Sequence, residues 1–159
     1  MSEPVLITGI GKRAGLHLAR AFLKRGTPVI GTYRTERPAL EELSRAGAEL
    51  HHCDFYDTPQ VDLLCRNVAE KHRSLRAVIH NASDWLAENG SLPHLDVMQR
   101  MMRVHVTAPY LINLALEHLL LACSEPHADI IHIGDYVSGR GSAKHIAYAA
   151  SKAAQDNLT

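Results

Sequence analysis

Cysteine is scarce in this sequence, and no two cysteines are spaced as a metal-binding or redox pair. The three cysteines are Cys53, Cys65 and Cys123, and no Cys-x-x-Cys motif occurs. Disulfide frameworks and structural zinc sites are therefore disfavoured, and a reducing cytoplasm is the expected location. The eleven histidines are scattered, without an HExxH or similar ligand pair, so we expect no metal site.

An excess of either charge is also absent. Lys+Arg and Asp+Glu both number 17, so no overall field attracts nucleic acid or an anionic membrane. Apolar runs stay short of the roughly 20 residues needed to span a bilayer. The start MSEPVLITG lacks the charged and apolar regions of a signal peptide. We therefore expect a protein that binds neither nucleic acid nor a membrane.

What the sequence does contain is a regular alternation of apolar and amphipathic segments along 159 residues, enough for one domain with a core. Strands are expected at 4–9, 27–34, 48–55, 76–83 and 129–136, and helices at 13–26, 38–47, 59–72, 95–123 and from before Tyr148 onward. Strict alternation implies right-handed crossovers and a parallel sheet covered on both faces. We predict a single doubly wound α/β domain of the Rossmann type over residues 1–159.

The predicted order of elements stops early for such a fold. A Rossmann-type sheet usually continues to a sixth strand, whereas KAAQDNLT reads as a helix without a C-terminal cap. The prediction is therefore a Rossmann domain truncated after the fifth strand and the start of the following helix.

A glycine-rich loop, TGIGKRAG from Thr8 to Gly15, lies between the first predicted strand and helix. Its glycines allow a tight turn and close approach of a ligand, and the helix N-terminus offers free N–H groups to a pyrophosphate. A tight turn without a ligand is the alternative, but the position after the first strand favours dinucleotide binding. The residues assigned to this cofactor site are Thr8, Gly9, Gly11, Lys12, Arg13 and Gly15.

The end of the second predicted strand indicates which dinucleotide is bound. Enzymes selective for NAD place an acidic residue there to hold the ribose 2′-OH, but this sequence reads TYRTER. Arg34, with Thr35 and Arg37, suits a 2′-phosphate, although an arginine merely solvated at a strand end is the alternative. We therefore predict NADP(H), with contacts from Tyr33, Arg34 and Thr35.

Three polar residues form a candidate catalytic cluster. Tyr148 and Lys152 are four apart, so on a helix they share a face. Because an ammonium one turn away favours the phenolate, we expect the Tyr148 pKa to be lowered from its usual value of about 10. Asp135 lies thirteen residues before Tyr148, after the fifth predicted strand. The alternatives are an exposed helix face for the pair and a capping role for Asp135.

Together these segments resemble the short-chain dehydrogenase/reductase family over the whole sequence. The shared features are the glycine loop, Asp54 after the third strand, HNAS at 80–83 and YAASK at 148–152, with Asp135 at the position of the family's serine. The resemblance implies a Rossmann-fold reductase in which Lys152 also holds the nicotinamide ribose. The further cofactor contacts it implies are Asp54, Asn81, Ala82, Ser83, Tyr148 and Lys152.

Within the family, the sequence is similar to the pteridine reductases, particularly to bacterial enzymes that act on dihydromonapterin. That group shares Arg13 where most relatives have glycine, an aspartate at position 135, and an aromatic residue two positions after NAS, here Trp85. The implied reaction is NADPH-dependent reduction of 7,8-dihydromonapterin to its tetrahydro form, with weaker reduction of dihydrofolate. The implied substrate contacts are Arg13, Ser83, Trp85, Asp135 and Tyr148.

The chemistry of Asp135 favours a nitrogen heterocycle over a ketone. Reduction of a ketone builds negative charge on oxygen, which a carboxylate would repel unless protonated. A pterin presents ring N–H and amino groups and a reducible C=N bond, so an acceptor, or a protonated carboxyl that relays a proton, fits it better.

Trp85 would stack on the flat ring for about 1 kcal/mol, unless it packs on the sheet edge. Arg13 would reach phosphate and pterin, unless it is a surface side chain.

His105 occupies the helix position where the wider family usually has a catalytic asparagine. Pro109, four residues on, has no N–H, so the His105 carbonyl lacks its helical partner and can hold a water beside Lys152. We therefore expect a proton relay that depends on the His105 backbone rather than on its side chain.

The long predicted helix has more apolar positions than one core-facing stripe needs. The surplus indicates a partner surface, and the resemblance implies a homo-oligomer, a dimer or tetramer, built on this helix. The leucines concerned are Leu111, Leu114, Leu116, Leu119, Leu120 and Leu121.

Two alternatives to a dihydropterin reductase stay open. A carbonyl reductase of the same fold is one, which Asp135 and Trp85 disfavour. The other is a non-catalytic NADP-binding regulator, which would have no need of Tyr148 and Lys152.

Overall fold

Short aliphatic segments form a parallel sheet in the computed structural model, which describes residues 2–159. The strands, in the spatial order β3-β2-β1-β4-β5, are Val5–Ile7 (β1), Val29–Tyr33 (β2), Glu49–His52 (β3), Ala77–His80 (β4) and Asp129–His132 (β5). In the central strand, Leu6 pairs in register with Ile30 on one side and Val78 on the other. The chain winds outward from β1 to β3 and then crosses to β4, which opens a crevice at the carboxyl ends of β1 and β4.

Helices alternate with these strands, as predicted. They are Arg13–Lys24 (α1), Pro38–Arg45 (α2), Thr58–Lys71 (α3), His94–Met102 (α4), Ala108–Leu121 (α5) and Ile146–Asp156 (α6). Pro38 starts α2 and Gly47, at φ +94°, follows its end, because proline suits a first helical turn and glycine adopts positive φ at low cost.

The core lies on both faces of the sheet, which confirms the doubly wound architecture. On one face, Leu6 and Val78 pack with side chains of α3 and α5. On the other face, Val5 and Ile7 pack with side chains of α1 and α2. Alternate residues of β1 thus point to opposite layers, as the pleat of a strand requires.

The structure differs from the sequence predictions at several element ends. Every strand is shorter than predicted, and the long helix contains a π-helical segment at Arg103–Thr107, where the Ala108 N–H donates to the Arg103 carbonyl. The expectation that KAAQDNLT is helical throughout is wrong, because α6 ends at Asp156 and a tight turn follows, closed by the Leu158 N–H donating to the Gln155 carbonyl.

The continuous helical segment His94–Leu121 is, by length and composition alone, apolar enough to cross a bilayer. It nevertheless packs on the core, because Leu116 and Leu119 are buried and Leu111 and Leu120 are partly buried against the same cluster. Leu114 and Leu121 stay exposed, at 56% and 80% of their surface. The surplus of apolar positions predicted for this helix therefore amounts to a small exposed face.

Candidate active site

A cavity of about 620 Å³ opens at the carboxyl ends of the strands. It lies at the crevice between β1 and β4, where doubly wound domains bind their ligands. Most of the residues predicted for cofactor, substrate and catalysis line it: Gly9, Gly11, Lys12, Arg13, Tyr33, Arg34, Thr35, Asn81, Ala82, Ser83, Trp85, Asp135, Tyr148 and Lys152. Thr8, Gly15 and Asp54 do not line it.

Thr8 and Gly15 support the glycine loop from behind. The Thr8 hydroxyl oxygen accepts from the backbone N–H groups of Asn81 and Ala82, at 3.0 and 2.9 Å. The Asn81 amide in return donates to the Thr8 and Gly9 carbonyls, at 2.9 and 3.0 Å. At Gly15 a Cβ atom would lie 2.3 Å from the Gly9 carbonyl oxygen. The HNAS segment thus braces the loop, and α1 packs too closely on it for a side chain at position 15.

The N-terminus of α1 faces the cavity without a side-chain cap, so its N–H groups can receive a phosphate. Arg13 starts the helix at φ +50°, a left-handed conformation that a non-glycine residue rarely adopts. This conformation explains physically why glycine suits the position. The cationic side chains that line the cavity are Lys12, Arg13, Arg34, Arg37 and Lys152, and this donor set fits the phosphates of a dinucleotide.

Arg34, predicted to meet a 2′-phosphate, already has a protein partner. Its guanidinium donates to the Asp84 carboxylate at 3.0 Å, and the Tyr56 hydroxyl donates to the same carboxylate at 2.6 Å. Burial alone would raise the pKa of Asp84, but these hydrogen bonds outweigh it and lower the pKa below its ordinary value. Arg34 is therefore neither free nor merely solvated.

Asp54 points its carboxylate at its own turn. One carboxylate oxygen accepts from the Tyr56 backbone N–H at 3.0 Å, an Asx turn that precedes α3. Its neighbours Cys53 and Phe55 line the cavity instead. A contact of Asp54 with the cofactor, implied by the resemblance, stays a prediction.

Asp135 and Tyr148 meet directly. The Tyr148 hydroxyl donates to the Asp135 carboxylate at 2.6 Å, and the other carboxylate oxygen accepts from the Val137 backbone N–H at 3.1 Å. These two bonds lower the pKa of Asp135, so the group is an ionised acceptor at neutral pH. Asp135 also caps the short 3₁₀ turn Tyr136–Gly139. The same carboxylate therefore serves as a cap and as the partner of Tyr148.

The expectation that Lys152 lowers the Tyr148 pKa is wrong. Burial, followed by the hydrogen bond to Asp135 and its negative charge, raises the pKa of Tyr148 to about 12. The Lys152 ammonium turns elsewhere, donating to the Ile133 carbonyl and the Gln155 side-chain oxygen, each at 2.5 Å. Burial lowers the pKa of Lys152 itself. The carboxylate therefore dominates the field at the phenol.

Trp85 and Ser83 lie on the loop that follows β4. The Trp85 side chain is 66% exposed and its ring lies 4.2 Å from that of His145, between centroids, so it does not pack on the sheet edge. The Ser83 hydroxyl is 2.8 Å from Nε2 of His105. The His105 side chain is buried, and its backbone lies in the π-helical segment; a water held by its carbonyl stays a prediction.

Sequence reasoning missed two residues that shape this site. Asp84 accepts a hydrogen bond from Arg34. It directly follows Ser83, a predicted contact, so the sequence could have indicated an acidic residue at the site. Glu88 accepts from the Ala147 backbone N–H at 2.7 Å, tying the loop after β4 to the start of α6. Nothing in the sequence indicates that contact. Among residues 2–159, no three His, Cys, Asp or Glu side chains are grouped so that they could hold a metal ion.

Comparison with known proteins gives the chain's relatives. The short chain dehydrogenase family model matches residues 3–159. A dihydromonapterin reductase of Klebsiella pneumoniae is 53% identical over 157 residues, which are 99% of this chain and 65% of that protein. One from Escherichia coli O1:K1 is 50% identical over 158 residues, 99% of this chain and 66% of that protein. The chain thus spans about 65% of the length of these curated relatives.

Solved structures show the same fold. A short chain dehydrogenase from Shigella flexneri, complexed with NADP, superposes with a TM-score of 0.84 at 24% identity, covering 98% of this chain and 68% of that one. A short-chain dehydrogenase from Streptomyces avermitilis superposes with a TM-score of 0.85 at 24% identity, covering 99% of this chain and 58% of that one.

Proposed function

The chain belongs to the short-chain dehydrogenase family, and on that premise we propose that it is an NADPH-dependent dihydropterin reductase. Its substrate is 7,8-dihydromonapterin, reduced to the tetrahydro form, with dihydrofolate as a weaker second substrate. The observation that carries the proposal is the 2.6 Å hydrogen bond between the Tyr148 hydroxyl and the Asp135 carboxylate inside the dinucleotide cavity. Relatives at 53% and 50% identity that are named dihydromonapterin reductase support it.

The cavity supports NADP(H) as the cofactor. The uncapped N-terminus of α1 and the glycine loop suit a pyrophosphate, and no acidic side chain ends β2 to select a ribose 2′-OH. Arg34 and Arg37 both line the cavity and suit a 2′-phosphate. A 2′-phosphate would compete with Asp84 for the Arg34 guanidinium.

Reduction of a C=N bond needs a hydride at carbon and a proton at nitrogen. NADPH, when bound, supplies the hydride. Tyr148, whose pKa is raised to about 12, is protonated at neutral pH and can give its proton to the ring nitrogen as a general acid. Asp135 holds that proton in place and, as a carboxylate, suits the N–H groups of a pterin.

Trp85 and Arg13 would complete the substrate site. The exposed indole offers a face for stacking on a flat heterocycle, worth about 1 kcal/mol beyond burial. Arg13, at the mouth of the same cavity, would reach both phosphate and pterin.

We also propose an oligomeric state and a cellular location for the protein. The exposed apolar side chains of α5, Tyr110, Leu114 and Leu121, support a homo-oligomer formed through this helix. The three thiols without paired spacing support a cytoplasmic location.

The function is tested by NADPH oxidation with the full-length protein. We expect turnover with dihydromonapterin, slower turnover with dihydrofolate, and little with simple ketones, and we expect Tyr148→Phe to abolish all of it. A preference for ketones would identify a carbonyl reductase instead. NADPH binding without turnover of any of the three would identify a regulator.

A further inference from the structure

His105 is fully buried, and both nitrogens of its ring have partners. Nε2 lies 2.8 Å from the Ser83 hydroxyl and Nδ1 lies 2.8 Å from the Ser151 hydroxyl. One side chain thus joins the loop that lines the cavity to α6, the helix that carries Tyr148. Burial, with a smaller contribution from the charge of Lys152, lowers the pKa of His105 to about 4. The ring is therefore neutral at neutral pH.

A neutral imidazole has one N–H donor and one acceptor nitrogen. The contact with Ser151 determines which of the two His105 nitrogens carries the hydrogen. The Ser151 hydroxyl donates its only proton to the Tyr148 carbonyl oxygen, at 2.8 Å inside the helix. Its oxygen can therefore only accept from His105, so the hydrogen is on Nδ1. Nε2 then has a lone pair that accepts from the Ser83 hydroxyl at 2.8 Å, whereas a second acceptor, the Asp84 carbonyl oxygen, lies farther from that hydroxyl at 3.5 Å.

We propose that His105 is a positioning residue that turns the Ser83 proton away from the cavity, so that Ser83 offers the substrate only lone pairs. The proposal rests on the function proposed above and deepens it. Together with the Asp135 carboxylate, Ser83 would make the wall of the site an acceptor surface. Such a surface selects a substrate with N–H donors and disfavours an oxygen that needs a donor.

The direction of the hydrogen bonds can be read from nitrogen–proton correlation spectra of the full-length protein with labelled histidine rings. We expect His105 Nε2 to give the signal of an unprotonated nitrogen and Nδ1 that of an N–H. Ser83→Ala should move the Nε2 signal and leave the Nδ1 signal in place, which a merely structural role would not do. A hydrogen on Nε2, or a doubly protonated ring at neutral pH, would overturn the proposal.

The effect on ligand binding is measured through Trp85, the sole tryptophan of the chain, by quenching of its fluorescence with a pterin. We expect His105→Asn and Ser83→Ala each to raise Kd about two- to tenfold, the worth of one hydrogen bond. The double variant should be no weaker than the single ones, because His105 acts through Ser83. Additive losses would contradict that dependence. A wild-type protein that binds no pterin would contradict the proposed function, while the ring spectra still decide the direction of the hydrogen bonds.

Discussion

At the scale of single residues, Asp135 changes how readily the Tyr148 hydroxyl loses its proton. A lysine alone would favour a phenolate, but the carboxylate lies at 2.6 Å from the Tyr148 hydroxyl and keeps it protonated. Reduction of a C=N bond uses that state, since nitrogen takes up a proton as carbon takes up a hydride. We propose that the aspartate at this position acts on the proton of Tyr148 as well as on substrate recognition.

Asp135→Asn should lower the pKa of Tyr148 from about 12 toward the usual value of about 10. The amide removes the negative charge beside the phenol, while the burial of Tyr148 still opposes ionisation. The change is measured by titrating tyrosine absorbance and subtracting the same titration of Tyr148→Phe, because the chain has five tyrosines. An unchanged or raised pKa would show that Asp135 does not set the protonation of Tyr148.

Arg13→Gly should stabilise the fold and weaken cofactor binding. The left-handed backbone at φ +50° costs an arginine about 1–2 kcal/mol, partly offset by the greater freedom of glycine in the unfolded chain. We expect Tm to rise by about 2 °C and the Kd of NADPH to rise about tenfold, because one charge-assisted contact is lost.

Arg25→Gly provides the matched control for Arg13→Gly. Arg25 is exposed at the other end of α1 and has a negative φ of −86°, so Arg25→Gly relieves no backbone strain. We expect no rise in Tm, a small fall from the freedom of glycine in the unfolded chain, and an unchanged Kd of NADPH. A fall in Tm for Arg13→Gly, or an equal effect of the two variants on Kd, would contradict the account of Arg13.

The residue types of the site were predictable from the sequence, whereas their partners were not. The spacing of Tyr148, Lys152 and Asp135 placed all three in one cavity. That Lys152 donates to the Ile133 carbonyl, and Arg34 to the Asp84 carboxylate, depends on side-chain directions across different elements. Spacing along one helix contains no information about those directions.

At the scale of elements, the π-helical segment Arg103–Thr107 is the feature that the hydrophobic pattern did not show. The apolar positions fit one long helix, and only Pro109, which lacks an N–H, indicated a disturbance. The wider turn carries His105, whose ring contacts the serines of two other elements. Segments of this kind often occur at functional sites.

Pro109→Ala should reduce turnover more than His105→Asn does. Alanine supplies an N–H to the His105 carbonyl and so removes the acceptor predicted to hold a relay water, while the asparagine leaves that carbonyl in place. The comparison is of kcat for the two variants in the full-length protein, with circular dichroism to confirm that both fold. The opposite ranking would place the relay on the His105 side chain.

At the scale of the whole molecule, the alternation of strands and helices was predictable because each element buries its own face. Leu6 and Val5 read as neighbours in one apolar run, yet they pack into separate layers. The ends of some strands were not predictable, because apolar residues such as Phe55 after β3 and Ile133 after β5 continue into the loops that line the cavity. The strands end where backbone pairing ends, and the sequence pattern does not mark that point.

The stability of the whole fold should fall as pH falls from about 6.5 to 4. His80 and His105 are buried, and burial lowers the pKa of each to about 4. The unfolded chain binds a proton at each near pH 6.5, so in this window it holds more protons than the native state. The loss is on the order of 3 kcal/mol for each histidine at pH 4. Denaturant unfolding at several pH values measures it.

Single variants assign that pH dependence. His80→Asn should flatten the slope of stability against pH between about 4 and 6.5, since one of the two protons is removed. His17→Asn, on the exposed surface of α1, should leave the slope as it is. A slope that survives both His80→Asn and His105→Asn would assign the pH dependence to other groups.

The most direct test of the account is the ratio of kcat/KM for dihydromonapterin to kcat/KM for a simple ketone, measured with NADPH in the wild type and in Asp135→Ser. We predict a ratio well above one in the wild type and a fall of about ten- to a hundredfold in the variant, the worth of a charge-assisted hydrogen bond. A ratio that is the same in both proteins would contradict the claim that the carboxylate selects a nitrogen heterocycle.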